Sequence, residues 1–360
     1  MVRPGLYATL AAAVLALPAY GQTDAVPPSD YALVNARIVI EPGNVIERGT
    51  IRVSDGRIAE VGADVTVPEG VVTLDMIGRT VYPGLIDVAT SVGLPPVSAQ
   101  GGRGGRGGGG SGGSQADEPN GREPPPHVRP GQMAADVFAP SASALESLRA
   151  TGVTTLGLAF ETGGIFPGQV SAVSTGSGDP SDLVLRTPVA LQVTFGSRPD
   201  GYPRTLMGAI AYIKQAFLDA EHEARATAAF EQDPASALRP SYDAEHRALA
   251  PVAAGTLPVW FVGETDRDLG RIADLAAEMG VQNYTVLGAQ QGWKATDLLS
   301  AVGRPVIVSL AFPEPDDVTA RTFELHVAPA SGEDTAGEEA DSAAARAARG
   351  NAAALARAGV

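Results

Sequence analysis

Three carboxylates stand where predicted β-strands end: Asp87 in GLIDVATSVG, Glu161 in LGLAFETGG and Glu264 in VWFVGETD. Carboxylates gathered from several strand ends can hold a hard cation such as Ca²⁺. Asp266, two residues beyond Glu264, could join them. Each also has a plainer reading, Asp87 as a turn cap and Asp266 as a helix cap. The four histidines, His127, His222, His246 and His326, offer less. None has another at i, i+2 or i, i+4, the spacings that put two imidazoles on one face of a strand or helix, so they read as surface residues. With no cysteine there is no thiolate metal site, no Cys nucleophile and no disulfide. GTLPVWF and similar runs give no serine nucleophile elbow of the G-x-S-x-G type, and the turns GSGDPSD and ETGGIFPG do not feed a helix directly, as a phosphate cradle requires.

The elements that must position these residues fall into distinct stretches. From Tyr31 to Val81 short Val/Ile/Thr-rich bursts alternate with Pro42-Gly43-Asn44 and Asp55-Gly56, which is hairpin chemistry and predicts a small antiparallel sheet over 31–81. Residues 98–132, GGRGGRGGGGSGGSQADEPNGREPPPHVRPG at their centre, have almost nothing apolar to bury and read as a disordered insert. Beyond it one pattern recurs, an amphipathic helix that stops at a glycine and is followed by an apolar strand. SALESLRATGVTTLGLAF shows it first, with Ser143 and Glu146 at capping-box spacing and Gly152 as the stop. LGRIADLAAEMGVQNYTVLG repeats it with Gly280, and ATDLLSAVGRPVIVSLAF with Gly303. PVALQVTF and LPVWFVG add strands, and a long helix from about Arg204 to Ala229 carries Leu206, Ile210, Ile213 and Phe217 on one stripe. Helices alternating with strands apolar on both faces predict parallel βα units, closed as a barrel or doubly wound.

Composition narrows the partners. Forty-one acidic residues against 26 basic ones leave a net charge of −15, which repels nucleic acid and anionic lipid alike. Arg3, an apolar run from Leu6 to Leu17, then Ala19 and Gly21 have the three parts of a secretory signal over residues 1–21, which predicts a periplasmic or secreted protein with no membrane span once the signal is removed.

With these elements in view, a family comes forward. The β segment that closes on GRTVYPGLID and leads into βα units resembles the amidohydrolase superfamily, and is most similar to its exported imidazolonepropionase-like branch. VNARIVIEPGNVIERGTIRVSDGRIAEVG is similar to the family's opening β-sandwich, and GGIFPGQVSAVS, GYPRTLMGAIAYIKQAFLDA and GWKATDLL to its barrel segments. The resemblance covers most of residues 31–313 outside the insert. It implies an α/β chain with a (β/α)₈ TIM-like barrel over 82–360 and a small N-terminal β-sandwich portion over 31–81. It also implies the family's reaction, hydrolysis of C–N bonds other than peptide bonds by a water activated on one or two divalent metals, zinc for example, at the barrel's C-terminal mouth.

The ligands that such a centre needs are not in their places. The family's first strand ends Asp-x-His-x-His, whereas this chain reads Asp87, Val88, Ala89, Thr90, Ser91. Val262 stands where the strand VWFVGE would end in a histidine, YTVLGAQ has none, and the two lysines, Lys214 and Lys294, lie in helices rather than where a bridging carbamate would form. The family's last acidic ligand lies on the eighth strand, and NAAALARAGV repeats the helix–glycine–valine junction at Gly359 and Val360, so the barrel reads as incomplete at its C-terminal end. The resemblance therefore predicts a truncated, exported pseudoenzyme with no cofactor of its own, serving as a structural or binding half beside a second amidohydrolase barrel in the parent protein. Two alternatives stand beside it. One is an active hydrolase of cyclic amides or peptide-like substrates with a site rebuilt on Asp87, Glu161 and Glu264. The other is an extracellular module whose loops hold a small polar ligand.

Overall fold

The computed structural model describes residues 29–95, 128–161, 164–196, 203–236, 238–309, 347 and 349–360. The signal-like segment 1–21, most of the glycine-rich insert, His127 and His326 lie outside the described residues. The chain divides into two compact units, with the boundary between Pro83 and Gly84.

The first unit is a sheet of five strands, β1 (Asp30–Glu41), β2 (Asn44–Ser54), β3 (Arg57–Gly62), β4 (Val72–Asp75) and β5 (Thr80–Val81). Both hairpins form where turn residues predict them, β1 to β2 through Pro42-Gly43 and β2 to β3 through Asp55-Gly56, both of whose φ angles are positive as a tight two-residue turn requires. The sheet is nevertheless mixed rather than antiparallel. β4 and β5 both run parallel to β1, because the chain from Gly62 to Val71 crosses back before pairing. Ala36, Ile38, Ile51 and Val53 form its buried core. Among the described residues this unit is one sheet, as a portion of a sandwich would be.

The second unit is a nearly closed, barrel-like sheet of seven strands that neighbour one another in chain order. They are β6 (Leu85–Thr90), β7 (Val153–Leu158), β8 (Gly168–Ser174), β9 (Val184–Val193), β10 (Val259–Gly263), β11 (Tyr284–Gly288) and β12 (Val306–Val308). β6 and β7 are parallel, as are β9 through β12, but β8 runs antiparallel to both its neighbours. Gly168–Ser174 is thus a meander strand and not part of a βα unit, because among the described residues only a single 3-10 turn at Pro180–Leu183, and no α-helix, lies between β7, β8 and β9. β6 and β7 approach so closely that a Cβ at Gly157 would lie 1.9 Å from the Val88 carbonyl oxygen, so only glycine fits there.

Helices α1 (Ala142–Ala150), α2 (Leu206–Gln232), α3 (Ala244–Ala253), α4 (Asp266–Glu278) and α5 (Thr296–Val302) fill the crossovers, and α6 (Asn351–Arg357) ends the chain. α1 is capped by Ser141, which accepts from the Ala144 amide, rather than by Ser143, which lies inside the helix. α4 carries a full capping box between Thr265 and Asp268. The predicted stops Gly152, Gly280 and Gly303 all have left-handed φ angles. The main core joins one face of the strands, Leu191, Val193, Val259, Phe261 and Val286, to Ile213, Phe217, Leu249, Leu269 and Ile272 of the helices.

The insert ends earlier than its composition suggests. Val128 is buried and bridges to Phe166, Met133 bridges to Gln169, and the Gln169 amide side chain donates to the Pro130 carbonyl. Residues 128–132 are therefore ordered chain, held by one buried valine and by contacts along a strand edge. Among the described residues no helix is long and apolar enough to cross a membrane.

Candidate functional site

A strand's side chains alternate between its two faces, so each barrel strand that packs one residue outward under the helices sends the next into the lumen. In β10, Val259 and Phe261 belong to the helix-covered core while Trp260 belongs to a separate cluster. That cluster takes Ala89 from β6, Ala159 just past β7, Val170 from β8, Val189 and Ala190 from β9, Leu287 from β11 and Ile307 from β12. Every strand of the sheet contributes to it. The lumen is thus a second, apolar core, centred on an indole that is 8% exposed.

The residues read as candidates are distributed around this layer. Ala89 packs into it. Val262 is half-buried on β10, paired in register with Leu287. Asp87 is half-buried lower on β6, opposite Leu156. Ser91 and Glu161 do come together, the Ser91 hydroxyl donating to Glu161 Oε1 at 3.2 Å, on exposed loops just past β6 and β7. Glu264 follows β10, and its carbonyl accepts from the Gln291 amide in the loop after β11. Asp266 is the exposed first residue of α4. Among the described residues no group of three or more His, Asp or Glu is placed to hold a metal ion, so Asp87, Glu161 and Glu264 are not gathered into one site.

The lumen residues do not fit a divalent metal either. Methyl, isopropyl and indole groups offer no lone pair to an ion, and a desolvated cation among them would lack every compensating contact. The lysines are spoken for: Lys214 pairs with Glu278 across α2 and α4, and Lys294 lies 5.1 Å over the Trp293 ring. Of the two described histidines, His246 is more than a surface residue, since its Nδ1 lies 3.0 Å from Glu223 Oε2 on the neighbouring helix.

The sequence reading passed over a set of buried polar residues beside the lumen. Gln192, 1% exposed, donates its amide to the Phe160 carbonyl at 2.8 Å and accepts from the Phe160 amide at 2.9 Å, tying the end of β7 to β9 across the meander. Ser171 shares a 2.8 Å hydrogen bond with Thr187 and accepts from the Ala135 amide. Asn351 accepts from the Trp293 amide and donates to the Ala289 carbonyl, both at 2.8 Å, fastening α6 to the loop after β11. A lone glutamine inside the apolar run PVALQVTF was the available signal.

No protein-family model matches the chain, nor does any curated protein. Among solved structures, an amidohydrolase from Thermotoga maritima MSB8 superimposes with a TM-score of 0.65 at 20% identity, over 79% of this chain and 71% of that one. The chain has the amidohydrolase fold. A prolidase complexed with N-methylphosphonate-L-proline aligns over 92% of this chain and 76% of its own at 16% identity, with a TM-score of 0.43. An L-hydantoinase (dihydropyrimidinase) from Arthrobacter aurescens aligns over 78% and 57% at 14% identity, with a TM-score of 0.30. Those two likenesses are too loose to bear on the site. An amidohydrolase fold fixes where a centre would sit, and only the side chains there decide what it does.

Proposed function

We propose that this chain is an exported member of the amidohydrolase superfamily whose barrel is closed by packing where active members hold a metal, and that it serves as a structural or ligand-binding half beside a second, metal-competent barrel. The observation that carries the reading is the apolar lumen layer, in which Ala89 and Trp260 occupy the space where donor atoms would have to converge. The carboxylates of a rebuilt hydrolase site are dispersed, which weighs against the active alternative. The signal-like segment with Arg3 and Leu6–Leu17 supports export. If the barrel binds a ligand, the hydrogen-bonded pair Ser91 and Glu161 is the polar feature at its rim that would meet a small polar molecule.

The test is the metal content of the purified mature protein by mass spectrometry, paired with hydrolysis assays on hydantoins and other cyclic amides. Substoichiometric metal and no turnover are expected. Stoichiometric zinc that survives dialysis and supports amide hydrolysis would overturn the reading. For the binding role, a thermal-shift screen with sugars, dipeptides and hydantoins should find a compound that raises the melting temperature, because a ligand of the native state stabilises it by mass action. An effect unchanged by Glu161→Gln would remove the rim from the account.

A further inference from the structure

We propose that the α2–α3 pair is a pH-sensitive latch, closed in acid and loosened above neutrality, acting on the strand that carries Trp260. Beside the apolar contacts of Leu249 and Val252, the charged groups of α3 meet α2 at one carboxylate. Glu223 of α2, with a side chain only 12% exposed, meets His246 Nδ1 at 3.0 Å with one oxygen and Arg247 Nε at 3.8 Å with the other. Asp243 begins the helix, its Oδ1 accepting from the Glu245 and His246 amides and its Oδ2 lying 3.9 Å from His246 Nδ1. Arg247 is also engaged from the loop, stacked 4.7 Å over the Tyr242 ring.

Glu245 sits among these groups with its Oε1 buried and without a hydrogen-bond partner among the described residues. Such an oxygen is tolerable on a neutral carboxyl and costly on a carboxylate. Burial, reinforced by the neighbouring Asp243 and opposed by His246, pushes this carboxyl up to about 7. With Glu245 neutral, Glu223 and Asp243 face His246 and Arg247. With Glu245 ionised, a third carboxylate joins Glu223 and Asp243 beside the same two partners. The other segment packed near this helix runs past Gly131, close to Ala248, and its one charge, Arg129, is hydrogen-bonded to Gln132.

The helix is joined to the lumen through its own end. The Pro251 carbonyl accepts from the Thr256 hydroxyl and amide and from the Leu257 amide, two residues before β10 begins. Leu249 and Val252 pack in the same core as Val259 and Phe261. Loosening α3 therefore withdraws support from the strand whose opposite face presents Trp260.

Hydrogen exchange of the full chain at pH 5.5 and pH 8.0, corrected for intrinsic rates, tests the latch, with α4 as internal reference. Protection over residues 244–257 should fall about tenfold relative to α4 at the higher pH, about one pH unit of linkage. In Glu245→Gln the fall should shrink to less than about twofold. Unchanged or greater protection of α3 at pH 8.0 would overturn the proposal, as would a tenfold fall that persists in the variant. Should Glu245→Gln fail to fold, the wild-type comparison of α3 with α4 still decides whether the latch exists, and Glu223→Gln, which removes the carboxylate that α3 docks on, should expose α3 already at pH 5.5.

Discussion

Truncating Trp260 to alanine asks directly whether the lumen is held by packing. The indole is 8% exposed and is ringed by Ala89, Ala159, Ala190, Val170, Leu287 and Ile307. A tryptophan buries on the order of 200 Å², which at about 25 cal/mol per Å² gives an upper estimate of about 5 kcal/mol. Three of its neighbours are alanines on or beside strands, with no side-chain length to reach into the vacated space. The site will collapse poorly, which places the cost of Trp260→Ala towards the top of the usual 3–5 kcal/mol for such a change. With a urea slope of about 2.5 kcal/mol per M for a unit of this size, the unfolding midpoint should fall by about 1.8 M, followed by far-UV circular dichroism. Trp260→Phe, which keeps a ring in the lumen, should lose less than half of that. Neither EDTA nor zinc should move the wild-type midpoint. A loss under about 1 kcal/mol in Trp260→Ala would show that the lumen is not a packed core, and a wild-type midpoint that drops in EDTA would show that an ion stands where the packing argument leaves no room.

Gln192→Leu removes both partners of the buried Phe160 amide and carbonyl, so two orphaned groups at about 1–2 kcal/mol each should lower stability by about 2–4 kcal/mol in the same urea assay. Asn351→Ala strips the two 2.8 Å hydrogen bonds that hold α6, and limited proteolysis should then cut within 347–360 several-fold faster while the barrel survives. Glu245→Gln should flatten the dependence of overall stability on pH. The folded-state carboxyl is raised from 4.5 to about 7, so its contribution is fully present below pH 4.5 and is lost as pH rises through 7. The full shift would be worth about 3.4 kcal/mol, and solvent screening of a half-exposed group reduces that to about 1–2 kcal/mol. Urea unfolding at pH 5 and pH 8 measures it, and an equal slope in variant and wild type would refute the assignment.

The parts of this fold that were legible in the sequence are those written in local chemistry. Gly152, Gly280 and Gly303 end their helices because a left-handed residue is needed there, and Asp55-Gly56 turns a hairpin for the same reason. Sheet direction was not legible, since it depends on pairing between distant segments. Nothing in GQVSAVS says that β8 runs antiparallel, and nothing in VTLD says that β4 pairs parallel with β1. Of the candidate site, the positions of Ala89, Ser91 and Val262 at or beside strand ends could be named from the strand pattern. The apolar ring could not, because Ala89, Trp260, Leu287 and Ile307 are spread over more than 200 residues and meet only when the barrel curls. Gln192 was missed for the same reason, its partner Phe160 being 32 residues away.

The composition of that ring sets the cost of placing a metal donor within it. A histidine introduced among these apolar groups without an ion would be a desolvated polar group lacking a partner, at about 1–3 kcal/mol or more if charged. Against a net stability of only 5–15 kcal/mol, two or three such groups would unfold the barrel. A barrel without the ion is therefore stable only if the donors are replaced together, and by groups that fill space. Ala89 and Trp260 fill that layer together, one strand supplying little volume and another supplying a great deal. Restoring a single donor, as in Ala89→His, would then bring back the desolvation cost without the coordination that offsets it, and should destabilise the chain with zinc present as much as with zinc absent.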